Sequence, residues 1–216
     1  MKNLIVIFLT IIVIGGCQTE KNDPINCNLY VRYEEEGNKI SAEVELEKLE
    51  GGKKIPYTPV GGVAFMASNM TLQNLPTGKS RYVYKYEGTL PNDLTLTWNK
   101  PNGQQATIST PAKSIGEFDF LQENEHYVLE FKAGKFDTED KLVLLFTDAN
   151  NQKLNLDKQV PANSKKINLS EKDLSTLTSG PAKLSLVLTK TQRIELPEID
   201  CITTFSYYSI EKQIQL

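Results

Sequence analysis

Three cysteines, one histidine and a few acid pairs are the side chains of this 216-residue chain whose types and spacing bear on chemistry. Cys17 follows Gly15-Gly16 at the end of an apolar run, while Cys27 and Cys201 stand near the two ends of what comes after. His126 is the sole histidine, so a Ser-His-Asp triad or a zinc site built on several histidines lacks its parts. Between Glu125 and Tyr127 at the start of a strand pattern, His126 reads as a surface residue. Gly78-Lys79-Ser80 has the closing residues of a phosphate-binding loop, but the glycine needed five positions earlier is Gln73. Pro76-Thr77-Gly78 is accordingly read as a turn. Glu139/Asp140 and Glu198/Asp200 are acid pairs of the kind a glycosidase places across a scissile bond. Among 27 Asp and Glu residues, adjacency alone does not select a catalytic pair. The expectation is therefore no catalytic residue, no metal site and no cofactor.

The first residues address location. Met1-Lys2-Asn3 is a short basic start, and Leu4 to Ile14 is an 11-residue apolar run broken by Thr10. A bilayer-spanning helix needs about 20 apolar residues, so the run is short for a span and suits a secretion signal. Ile14-Gly15-Gly16-Cys17 resembles the lipobox of bacterial lipoproteins, with Ile14 where leucine is commonest. The resemblance implies cleavage between Gly16 and Cys17, a diacylglyceryl group on the Cys17 thiol, and attachment to the membrane through that lipid. Gln18 is not the aspartate that marks inner-membrane retention in some enteric bacteria, which favours the outer membrane.

Removing residues 1–16 takes away Lys2, so the formal charge goes from −3 to −4. That mild acidity argues against nucleic acid, which calls for a basic patch or stripe. Residues 17–26 are polar and include Pro24, which reads as a flexible tether. With Cys17 used for lipid, Cys27 and Cys201 remain as a pair in an exported chain, where oxidation is permitted. They form either a disulfide between the first and last strands or two separate small residues, each packed in its own domain.

Beyond the tether the hydrophobic period is two, the signature of half-buried strands. Ile40, Ala42, Val44 and Leu46 alternate with Ser41, Glu43, Glu45 and Glu47, and the acidic row reads as a solvated face. Tyr82, Tyr84 and Tyr86 form the more apolar face of their strand and are expected in the core, as is Trp98 with Leu94 and Leu96. Pro101-Asn102-Gly103 marks a hairpin, and Leu142 to Phe146 is apolar on both faces. YVYKYEG followed by DLTLTWNKPNGQ runs parallel to YVLEFKAG followed by KLVLLFTDANNQ. Two copies of one sandwich unit produce such a likeness, and so do two unrelated hairpins. Ser170 and Asp173 make a capping-box pattern for one helix near 170–178, closed by Gly180-Pro181.

Many short strands with hairpin turns predict an all-β fold of antiparallel sandwiches. In this layout residues 27–216 resemble exported lipoproteins of Bacteroidota with tandem immunoglobulin-like domains. The expected organisation is a signal peptide (1–16), a tether (17–26), a first sandwich (27–112) and a second (113–216). The expected role is a lipid-anchored envelope module, not an enzyme, that binds or spaces a protein or glycan partner. The alternative is a glycan- or peptidoglycan-acting hydrolase using paired carboxylates.

Overall fold

The computed structural model describes residues 24–123, 126–132 and 136–216. The signal peptide, Cys17 and the tether up to Asp23 lie outside the described residues.

The first half of the chain forms nine strands: β1 (Ile25–Glu34), β2 (Lys39–Glu50), β3 (Lys53–Pro56), β4 (Val63–Phe65), β5 (Ser68–Asn69), β6 (Thr71–Asn74), β7 (Ser80–Glu87), β8 (Asp93–Asn99) and β9 (Gln105–Pro111). β1 begins inside the segment expected to be tether, because Ile25 and Asn26 already pair with Ile199 and Asp200. Apart from β3, which folds back on β2, the strands make two sheets in the orders β1-β2-β7-β6 and β5-β4-β8-β9. Lettered A, B, C, C′, D, E, F, G in chain order, these read A-B-E-D and C′-C-F-G, the immunoglobulin arrangement. Alternation drives the packing: Leu94, Leu96 and Trp98 of β8 are buried, as are Val31, Val44 and Tyr82 across from them. Phe65 and Tyr84, from opposite sheets, meet with ring centroids 5.3 Å apart.

The second half forms β10 (Phe118–Glu123), β11 (His126–Phe131), β12 (Lys141–Asp148), β13 (Lys153–Gln159), β14 (Lys166–Ser170), α1 (Glu171–Leu174), β15 (Pro181–Leu196), β16 (Ile199–Tyr208) and β17 (Lys212–Gln215). Its sheets run β10-β11-β14 and β13-β12-β15, with β17 on the far side of β15. In letters these are A-B-E and C′-C-F-G, a second sandwich of the same class. Phe120 of β10 meets Phe146 of β12 edge-on across the core, centroids 5.9 Å apart. The helix is one turn, shorter than the 170–178 expected. Its capping box is present: Asp173 N–H donates to the Ser170 hydroxyl at 3.3 Å, and Ser170 N–H donates to the Asp173 carboxylate at 2.9 Å. Leu177 N–H then bonds to the Leu174 carbonyl in a turn that leads toward β15.

The two sandwiches share one sheet. β15 is 16 residues long. Its first half pairs with β12 and β17, and Val187 to Leu196 pair with β16. β15 and β16 thus form a long hairpin that overhangs the second sandwich. Its tip is Pro197-Glu198, with Glu198 at φ 65°, the positive value required at the third position of a type II turn. β16 lies alongside β1 in parallel, with Ile25 opposite Ile199 and Glu34 opposite Tyr208. Among the described residues every other strand pairing is antiparallel. The sheets join into one ten-stranded sheet, β13-β12-β15-β16-β1-β2-β7-β6 with β3 and β17 beside it. The division expected at 112/113 falls between β9 and β10, but residues 187–208 lie within the first sandwich's sheet.

The likeness between YVYKYEG-DLTLTW and YVLEFKAG-KLVLLF marks neither a repeated sandwich unit nor a pair of hairpins, because β7 and β8 lie in different sheets, as do β11 and β12. The first segment is β7 and β8, strands E and F of its sandwich, and the second is β11 and β12, strands B and C.

Candidate functional site

The seam between β1 and β16 is where the two halves of the chain meet, and it has an inner and an outer face. On the inner face Ile25, Cys27, Leu29, Val31 and Tyr33 stand opposite Ile199, Cys201, Thr203, Phe205 and Tyr207, and all ten are buried. Strand parity puts them there, because residues two apart share a face. Tyr33 and Tyr207 stack with centroids 5.6 Å apart. Burial, with Glu35 nearby, raises the Tyr207 phenol well above the ordinary tyrosine range, so it stays neutral. Cys27 and Cys201 are register partners and both buried. The neighbouring Cys201 thiol, together with burial, raises the Cys27 thiol. Lateral neighbours at this level are Leu46 on β2 and Ile194 on β15.

The hairpin is held at both ends. At the tip, the Glu198 carbonyl accepts from Ile25 N–H at 2.8 Å, and its carboxylate pairs with Lys100 of the first sandwich at 3.2 Å. At the base, Lys190 reaches Asp137 at 3.0 Å, and Lys113 of the inter-sandwich linker contacts both Asp137 and Asp140. Lys190 and Lys113 hold the Asp137 carboxyl below the usual carboxylate range. Near β17, Ile210 N–H donates to the Glu35 carboxylate at 3.0 Å.

The outer face of the seam is exposed and mixed. Tyr30 is 39% exposed and Ile202 is 45% exposed. With Asn28, Glu43, Glu45 and Thr204 they line a shallow groove of about 190 Å³. The Arg32 guanidinium lies 4.1 Å from the centre of the Tyr208 ring and pairs with Glu34 at 2.8 Å. Burial and the neighbouring Tyr30 phenol raise Tyr208 above the ordinary tyrosine value. A second depression of about 430 Å³ lies alongside, between Arg32, Lys39, Lys85 and Tyr86. Sequence reading missed this surface. Alternation does place Tyr30 and Arg32 opposite Leu29 and Val31, but nothing local brings residues 202–208 beside them.

The residues singled out by type fall as follows. Glu43, Glu45 and Glu47 line the outer face of β2, where Glu43 pairs with Arg81 at 2.8 Å and Glu47 with Lys54 at 4.0 Å. His126 is exposed at the start of β11, between Glu123 and Ser170 in register. Gly78-Lys79 belongs to the β6–β7 turn, where Gly78 has φ 78°. Of the acid pairs, Asp140 is buried against Lys113, Glu198 is bound to Lys100, and Asp200 accepts from Arg193 at 2.7 and 2.6 Å. That Arg193 contact holds the Asp200 carboxyl below its usual range. These carboxylates are spent on ion pairs that hold the strands in place, not on a shared cleft. The three tyrosines of β7 grade from core to solvent: Tyr82 is buried, Tyr84 half-buried and Tyr86 exposed, which corrects the expectation that all three face the core. Trp98 is buried beside Leu94 and Leu96 as expected. Among the described residues no group of three or more His, Cys, Asp or Glu is placed to hold a metal ion. Among them, too, no helix is long and apolar enough to cross a membrane.

No family model matches the chain, and no curated protein matches it in sequence. Solved structures with a similar layout include the chicken interferon gamma receptor alpha chain, at 9% identity and TM-score 0.32, covering 86% of this chain and 95% of that one. A 1.5-MDa bacterial ice-binding adhesin gives 11% identity and TM-score 0.22, covering 85% of this chain. Yersinia pseudotuberculosis adhesin InvE gives 13% identity and TM-score 0.23, covering 84%. This chain spans 63% and 58% of those two adhesin structures. Likeness at this level carries no argument about role. The immunoglobulin-like description rests on the strand order of each sandwich, A-B-E-D facing C′-C-F-G and A-B-E facing C′-C-F-G.

Proposed function

We propose that the chain is an exported, lipid-anchored envelope module of the outer membrane, which presents a partner-facing surface on a rigid body tethered to the bilayer and carries out no chemistry. One observation carries this reading: a single sheet runs through both sandwiches, and the strand that follows the tether lies inside it. Eight strands in a row make seven gaps of roughly 4.8 Å, a backing about 34 Å across. Two sandwiches joined only by a linker reorient freely, whereas two sandwiches sharing paired strands move as one body. Such a body suits a spacer or a rigid binding platform. The lipobox-like Ile14-Gly15-Gly16-Cys17 supplies the anchor. Two or three acyl chains contribute roughly 0.8 kcal/mol per buried CH₂, enough for stable attachment.

The test is N-terminal mass spectrometry of the protein from membrane fractions, wild type against Cys17→Ala. The expected mature wild-type chain begins at a lipid-bearing Cys17, and the variant accumulates as an unlipidated precursor. A mature N-terminus elsewhere, without lipid, overturns the proposal.

A further inference from the structure

We propose that Cys27 and Cys201 close as an intramolecular disulfide that locks the β15–β16 hairpin of the second sandwich onto the first strand of the first. The inference rests on the export reading above, since only an oxidising compartment sustains the bond.

The geometry is specific. In a sheet, register partners on adjacent strands lie about 4.7–4.9 Å apart, inside the 4.4–6.8 Å window for bridged α-carbons. Both side chains point to the same inner face from directly opposed register positions. The two positions are 174 residues apart in sequence, so no local pattern brings them together. A metal does not explain the pair: among the described residues no third ligand accompanies it. Its lateral neighbours in the sheet are Leu46 and Ile194, both aliphatic.

The chemistry balances with an oxidising thiol–disulfide exchange protein as co-reactant. One cysteine thiolate attacks the disulfide of that protein, forming a mixed disulfide and releasing one of its sulfurs as a thiol. The second cysteine thiolate then attacks the first cysteine's sulfur, and the remaining sulfur of the exchange protein leaves. Two thiol protons and two electrons pass to the exchange protein, which ends as a dithiol. Once the hairpin is docked, both sulfurs are buried, 1% and 0% exposed, and the neighbouring thiol and burial disfavour the Cys27 thiolate. Exchange therefore takes place as the hairpin docks, and the finished bond is shielded from reductants.

The test uses the full chain extracted from membranes and denatured with an alkylating reagent in the absence of reductant. The expected digest contains one linked peptide pair carrying Cys27 and Cys201, two hydrogens lighter than the separate peptides. Alkylated Cys27 and Cys201 beside a lipid-bearing Cys17 overturn the disulfide and leave the export reading standing. Alkylated cysteines beside an unlipidated Cys17 overturn both. Heating the native protein gives an independent readout: the linked form should melt roughly 10 °C above the Cys27→Ala/Cys201→Ala variant, because the bond closes a very long loop. Equal melting temperatures count against the lock.

Discussion

The two sandwiches belong to the same class but differ in how they finish their sheets. The second supplies all the strands of both its own sheets. It leaves β13 as a free edge bearing Lys153, Asp157 and Lys158, charges that discourage pairing with another chain. The first does not finish its own sheet. Its strand A, β1, carries Leu29, Val31 and Tyr33 on one face, and without β16 it would be a long, apolar, open edge. Instead it is covered by a hairpin from the second sandwich. Ile199, Phe205 and Tyr207 on that hairpin are buried in the shared core. At about 1.5–3 kcal/mol each, their burial is worth roughly 5–9 kcal/mol, comparable to the whole stability of a small domain. Sequence order does not define the structural unit here: the first sandwich's sheet continues through residues near the end of the chain.

The largest expected effect comes from separating the halves. A fragment of residues 24–112 should show no cooperative unfolding transition and should aggregate, while co-expression with residues 113–216 should restore soluble first sandwich. A fragment 24–112 that unfolds cooperatively by itself would contradict the dependence described above.

Phe205→Ala sharpens the same point with one side chain. Removing a buried phenylalanine costs about 3–5 kcal/mol. Trp98 is the only tryptophan and sits in the first sandwich's core, so its fluorescence reports that half. The Trp98 denaturation midpoint should fall with Phe205→Ala, although residue 205 lies in the second half of the chain. It should fall less with Phe146→Ala, a comparable deletion in the second core. The reverse ranking would mean that the hairpin does not support the first sandwich.

Lys113→Ala tests the joint between the units. It strips the cation from Asp140, whose side chain is fully buried, and one of two cations from Asp137, which keeps Lys190. Leaving a buried carboxylate without its partner should cost about 3 kcal/mol, measured by chemical denaturation. A cost near zero would show that the joint is held by the shared strands alone.

The smallest expected effect is confined to the second sandwich. Ser170→Ala removes the cap of α1 and should cost about 1 kcal/mol. Because the helix is a single turn packed against β14 of the second sandwich, the Trp98 midpoint should move less than with Phe146→Ala.

Much of this molecule was legible without coordinates. Alternation gave the inward faces of β2 and β8, Pro101-Asn102-Gly103 gave the β8–β9 turn, and Ser170 with Asp173 gave the helix start. Those signals are local, arising from side chains two residues apart or from a cap three residues away. The gradation along Tyr82, Tyr84 and Tyr86 was not legible, because alternation fixes which face a residue takes but not how far the opposing sheet extends over it. The candidate seam was legible only in its parts. Parity with Leu29 and Val31 turns Cys27 inward, and parity with Phe205 and Tyr207 turns Cys201 inward.

Sequence by itself determined the all-β class, the facing of most strands and the pairing of neighbours through short turns. Only the tertiary structure decided that β1 pairs with β16 and that the two sandwiches share a sheet. Facing is set by the two-residue repeat of the strand backbone, which each segment carries within itself. The choice of a distant partner is set by which open edge and which overhanging hairpin come together when both cores close, and no short stretch of residues records that.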